Sequence, residues 1–187
     1  MRLMPMLLLL AAALPAAAAD DPWVADARSV ATAMPPKLLA VLTEAIHQGG
    51  PEGAIGVCRD KAPQMAQAAS AQSGWQIRRV SLRNRNPKAV PDAWEAAALA
   101  DFDRRAAAGE NPATLERAEI VPDNGQPTYR YLRALPTQAL CVGCHGAPET
   151  LSAAVSARLH ELYPADRAVG YSPGQIRGAI TLKKPLP

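Results

Sequence analysis

Three cysteines and one histidine carry most of the chemistry in this sequence. Cys141-Val142-Gly143-Cys144-His145 sets two thiols and an imidazole close together. That is the Cys-x-x-Cys-His spacing by which haem c is attached to a polypeptide. On a helical turn, positions 141, 144 and 145 stand at i, i+3 and i+4 and share one face. Two thiols on that face can add across the two vinyl groups of a haem as thioethers, while the adjacent imidazole reaches the iron from the same side. Gly146 follows, and a glycine ends such a turn at no steric cost.

Other chemistry can use the same residues. A thioredoxin-like thiol pair shares Cys-x-x-Cys but belongs in a βαβ setting, and structural zinc spaces its ligands into two separated pairs. A plain disulfide is disfavoured by the tight spacing. If Cys141 and Cys144 become thioethers, Cys58 is left over and no disulfide is expected. Cys58 then has two readings: a small buried apolar side chain on a face with Ile55 and Met65, or the sixth ligand of the iron. Met65 is a chemical rival for that position and Met34 a weaker one. His47, beside Gly49-Gly50, and His160, next to a leucine stripe, read as solvent-facing.

Helices and antiparallel strands must position these groups. Asp26 to Gln48 reads as helical with an interruption near Pro35-Pro36, closed by Gly49-Gly50. A second helix follows Pro51, with Ile55, Cys58, Ala62, Met65 and Ala69 on one face and a kink or early end at Pro63. Trp75 to Leu82 alternates as a half-buried strand does. Asp92 and Glu95 form a capping box that opens an Ala-rich helix ending at Gly109. Two strands flank Asn124-Gly125, in a loop of two residues or more. Leu151, Val155, Leu159 and Leu162 make a helical stripe, and Ile176 to Leu182 is the last strand. No βαβ alternation appears, so the class is α+β.

The 187 residues are 49% hydrophobic and 4% aromatic, with 18 prolines and a formal charge of +3. One domain is the expectation at this length, and the small charge argues against a nucleic-acid partner. Met1-Arg2, the apolar run Leu7 to Leu14 and the small residues Ala17-Ala18-Ala19 have the form of a signal peptide over residues 1–19. Cleavage after Ala19 would leave a domain over residues 20–187 without a membrane span, exported to the periplasm. Arg78, Arg79, Arg83 and Arg85 concentrate positive charge, read either as a solvated strand face or as partners for haem propionates, with Tyr171 and Arg177 as further candidates.

Ala54-Ile55-Gly56-Val57-Cys58, Gly74-Trp75, Ser81-Leu82-Arg83, Asn86-Pro87 and Pro91-Asp92-Ala93-Trp94-Glu95 resemble, in that order, the periplasmic c-type haem proteins with a PAS-like sensor fold. Pro136-Thr137-Gln138, the Cys141 to Gly146 motif, Tyr163-Pro164, Gly170-Tyr171 and Ile176-Arg177-Gly178-Ala179 continue the resemblance. It implies a PAS-like antiparallel sheet with flanking helices and one covalent haem. Carried over by position, Cys141 and Cys144 are the thioether anchors, His145 the proximal ligand and Cys58 the distal one. Such a protein is expected to sense redox state or a small gas such as carbon monoxide or nitric oxide, rather than to act as an enzyme. A periplasmic electron-transfer cytochrome with a redox partner protein is one alternative. A thiol-disulfide oxidoreductase without haem is the other.

Overall fold

The computed structural model of the chain describes residues 21–186. The signal peptide expected over residues 1–19 lies outside them. Helix α1 (Pro22–Gly56) opens with proline in its first turn, where the missing N–H costs nothing. It does not break at Pro35-Pro36 as the sequence suggests. Ala27 and Ala31 are wholly buried against Trp75, Tyr131 and Leu182, and this packing holds the helix through the two lost backbone bonds. The break falls at Gly49-Gly50, where Gly50 takes φ 71° and turns the chain before Pro51.

The expected end at Pro63 is replaced by a π-helical turn, Val57–Lys61, which leads directly into α2 (Ala62–Ser73). Pro63 has no N–H for the carbonyl four residues back, and the wider turn, with the Ala62 N–H bonded to the Val57 oxygen, absorbs the defect without ending the helix. One consequence concerns Cys58. Ile55 stays buried, whereas Cys58, within the π-turn, is exposed. The buried-hydrophobe reading of Cys58 is therefore corrected.

The sheet has four strands, β1 (Gln76–Val80), β2 (Glu116–Asp123), β3 (Gln126–Pro136) and β4 (Ile176–Pro185), in the order β1-β4-β3-β2 with every pair antiparallel. Asp123 pairs with Gln126, so the Asn124-Gly125 loop has two residues and no more. Both take positive φ, 52° and 84°, as a type I′ hairpin turn requires. Adjacent residues of β3 enter opposite cores. Leu132 joins Val80, Leu99, Phe102 and Leu115 under α3 (Ala93–Ala107), while Tyr131 joins Trp75, Ile77 and Leu182 under α1. Burying each such large side chain stabilises by roughly 1.5–3 kcal/mol. Alanine carries more of the core than its small area suggests, since Ala27, Ala31, Ala98 and Ala179 are all fully buried.

Neighbouring strands β3 and β4 are separated in sequence by a long excursion that contains the Cys-x-x-Cys-His motif. The excursion is closed at its root by the Thr137 N–H to the Gln175 oxygen and the Gly174 N–H to the Thr137 oxygen, each 2.8 Å. Within it, Val142–His145 forms the single turn α4, and α5 (Ala153–Leu162) follows with Ser152 as its N-cap. Val155 and Leu159 of α5 pack on Ile55 of α1 with Cys144 at the edge of the cluster. The sheet thus holds both ends of the excursion, and α1 holds its middle. Among the described residues, no helix is long and apolar enough to cross a membrane.

Candidate haem-attachment site

Cys141 closes a 3-10 turn begun at Ala139, and α4 carries the chain on through His145. The three side chains therefore share one helical face, as their spacing predicts. Both thiols are half-buried, whereas His145 is only 8% exposed. Gly146 is needed for a reason different from the expected one. Its φ is −69°, outside the left-handed region, but a Cβ there would stand 2.6 Å from the Val142 oxygen.

The segment after α5 runs beside this turn and orients the imidazole. The Tyr171 N–H donates to the His145 oxygen at 2.8 Å and the Gly170 N–H to the Gly146 oxygen at 2.6 Å. His145 Nδ1 faces the Ala168 carbonyl at 2.6 Å. A carbonyl only accepts, so Nδ1 carries the hydrogen and Nε2 keeps its lone pair. Burial, together with the charges of Arg177 and Arg85, holds the imidazole well below its usual pKa against the opposing Ala168 bond. The ring is neutral at neutral pH.

Arg85 ties these parts together. Its guanidinium pairs with Asp166 at 2.9 Å, donates to the Cys144 carbonyl at 2.5 Å and to the Ala168 carbonyl at 3.3 Å, and lies 3.5 Å from His145 Nε2. Asp166 also accepts from the Ala168 N–H at 2.8 Å. Ala168 is thus held at its carbonyl by Arg85 and at its N–H by Asp166. Arg85 belongs to neither the solvated strand face nor the surface. Arg78 likewise is bound, to Glu95 and to the Val90 carbonyl. Arg83 stacks on the Tyr171 ring with its carbon 4.1 Å from the centroid.

Cys58 faces the same site from the π-turn. Its surface is open to solvent, but the protein crowding its other sides raises the thiol pKa, against the lowering influence of Arg177, Arg79 and Arg85. Burial likewise raises the thiol pKa of Cys144, against the lowering influence of Arg85. Cys144 Sγ lies 3.9 Å from the Pro51 carbonyl, which sets the start of the second half of α1 against the motif. Arg79 is pushed down to about 9 by burial and by Arg177, and remains charged at neutral pH.

The structure does not bring the other ligand candidates to this point. Met34 packs into the Trp75 cluster on the far side of α1, and His47 and His160 are exposed. Met65 is half-buried on α2, beyond the π-turn. Among the described residues, no three His, Cys, Asp or Glu side chains converge as they would around a metal ion. Two clefts, of about 390 and 490 Å³, lie between α1 and α5 at Gly49 and Arg158 and between α3 and the start of β4 at Asp103 and Gln175, and neither is lined by Cys58, Cys141, Cys144 or His145. The Ala168 carbonyl and Asp166 had no signal in the sequence, because a backbone acceptor distant along the chain leaves no pattern.

Residues 16–185 match the Tll0287-like family. The chain belongs to that family, and its fold is α+β, a four-stranded antiparallel sheet with flanking helices. The structure is similar to the crystal structure of the cyanobacterial haem protein Tll0287, with a TM-score of 0.55 and 30% identity over 68% of this chain and 71% of that one. No curated protein matches.

Proposed function

We propose that the protein binds one haem c, attached through Cys141 and Cys144 and ligated by His145 and Cys58, and that it senses redox state or a small gas in the periplasm. The observation that carries this reading is the His145 geometry. The Nδ1–H is spent on the Ala168 carbonyl, so the remaining nitrogen, Nε2, is a neutral donor on the same turn as two unpaired thiols. Orientation of a ligating histidine by a hydrogen bond from its other nitrogen is the usual arrangement around a metal. These residues fit a haem without any further protein ligand. Membership of the Tll0287-like family and the likeness to a haem protein support the same conclusion.

A haem c supplies a one-electron couple and an iron with two axial positions. The chain supplies the rest. Arg85 and Asp166 fix the turn, the Ala168 carbonyl holds the tautomer, and burial keeps His145 neutral. Cys58 brings a sulfur whose surroundings raise its thiol pKa, so that on leaving the iron it would take up a proton. That is the observation favouring sensing over electron transfer, which requires the same ligands in both oxidation states. A thiolate in this position stabilises the ferric state and lowers the potential relative to His/Met ligation.

The test is to produce the chain with c-type maturation and compare wild type with Cys58→Ala by mass, absorption and electron spin resonance, oxidised and reduced. Covalent haem, and a ferric low-spin signal changed by Cys58→Ala, are expected. A mass without haem overturns the proposal and leaves the thiol oxidoreductase. Identical ferric spectra remove Cys58 as a ligand, and a reduced absorption spectrum that stays six-coordinate and low-spin favours the electron carrier. A mature N-terminus at Asp20 is expected from the exported protein.

A further inference from the structure

Arg79 and Arg177 differ from the other arginines of the sheet. Neither guanidinium makes an ion pair or a side-chain hydrogen bond among the described residues, although each is half-buried. Both spring from rigid positions. Arg79 sits within β1, paired with Ile180 of β4, and Arg177 sits at the start of β4, where its carbonyl accepts from the Ser81 hydroxyl at 2.8 Å. Between them the two strands approach so closely that a Cβ on Gly178, at φ 148°, would lie 2.3 Å from the Val80 oxygen.

The carboxylates that could neutralise this pair are committed elsewhere. Glu95 is taken by Arg78 and Arg130, and Asp166 by Arg85. Two guanidiniums drawn out of water side by side repel each other and lose hydration, a combination proteins tolerate when an anion compensates it. Their field falls on Cys58 and on Cys141, one of the two attachment thiols. An anion bound between these two guanidiniums would neighbour Cys58 and Cys141.

We infer that Arg79 and Arg177 together form the seat for the two carboxylates of the porphyrin, and so fix which edge of the ring enters the protein. The inference rests on the haem reading above. Paired carboxylates on one edge of a planar ring match paired guanidiniums on adjacent strands, and such charge-assisted bonds carry direction as well as strength. Arg78, Arg83 and Arg85, with partners of their own, are not part of the seat.

The test uses the full mature chain with Cys141→Ala and Cys144→Ala, so that binding is reversible, titrated with haemin and with haemin dimethyl ester while tryptophan fluorescence is followed. Haemin should bind about tenfold or more tightly than the ester, and in R79M/R177M that preference should fall to within about twofold. R79K/R177K should retain part of it. Melting of the porphyrin-free chain supplies the second readout: R79M and R177M should melt at the same temperature or higher, since each removes an uncompensated charge. A fall in melting temperature, a parent chain without preference for haemin, or a preference unchanged in the double variant each overturns the seat. Failure of the haem reading is seen separately, as wild-type chain matured without covalent haem.

Discussion

Two arginine clusters stand on the same sheet and are built on opposite terms. At the start of α3, Asp92 and Glu95 form a reciprocal capping box, each side chain accepting from the other's backbone N–H at 2.9 Å. The same two carboxylates meet Arg130, at 2.6 and 3.1 Å, and Arg78 completes the group. Arg130 also lies over Trp94, with its guanidinium carbon 4.6 Å from the ring centroid. Here charge is balanced within the chain. Around the motif, Arg79, Arg85 and Arg177 face two thiols and an imidazole with Asp166 as the matching carboxylate. A cluster closed upon itself needs nothing further, whereas one that keeps excess charge in a half-buried place is, on the inference above, the one open to an anionic ligand.

The largest effect that could break this contrast is at Glu95, which is 1% exposed. Glu95→Ala takes from buried Arg130 one of its two carboxylates, strips Arg78 of its carboxylate and removes half the capping box, so unfolding in urea should show a loss of about 3–5 kcal/mol. Arg79→Met in the open cluster should cost nothing in the same measurement, and an equal loss at both positions would erase the distinction.

Next is Arg85→Met, which strands Asp166 and frees two carbonyls. A loss of roughly 2–4 kcal/mol is expected, together with a broadened or heterogeneous low-spin resonance as His145 loses its orientation. Asp166→Asn should reproduce the resonance change at a smaller stability cost, because the Ala168 N–H keeps an acceptor. A sharp, unaltered resonance in both would show that the network does not reach the imidazole.

A smaller effect separates charge from capping at Asp92. Burial raises its carboxyl pKa, but the bonds from the Glu95 N–H and Arg130 outweigh that and hold it below the usual value. A lowered folded pKa stabilises the native state above the unfolded value of about 3.9 and loses that contribution as pH falls through the folded value. Asp92→Asn keeps the cap and removes the charge. It should destabilise by less than about 1 kcal/mol at neutral pH, with the gap from wild type closing below about pH 4. A gap that persists in acid would assign the whole effect to capping.

The smallest effect lies away from both clusters, in the hairpin. Asn124 has φ 52°, and Asn124→Ala should cost about 1 kcal/mol of stability while leaving the spectra of the site unchanged. A spectral change would mean that the β2-β3 end of the sheet communicates with the excursion.

Features governed by neighbours along the chain were legible. The one-sided turn of Cys141, Cys144 and His145, the Asp92 and Glu95 box, the Asn124-Gly125 reversal and the Val155 and Leu159 stripe each depend on bonds spanning a few residues, and each stands where its spacing places it. Features that depend on distant partners were not. Pro35-Pro36 is carried through by alanines packed on Trp75, and Pro63 is absorbed by a π-turn within which Cys58 is exposed. A helical period of 3.6 cannot foresee an inserted residue.

The sequence by itself determined which atoms could bind a haem, because thiol and imidazole spacing on one turn is a local property. Tertiary structure decided how they are held. The Ala168 carbonyl reaches His145 only because the excursion folds back along its own motif, and Arg79 and Arg177 become a pair only because β4 returns from the end of the chain to lie beside β1. Neither proximity has a signature in the sequence, since both arise from bonds between segments that meet only after the sheet has closed.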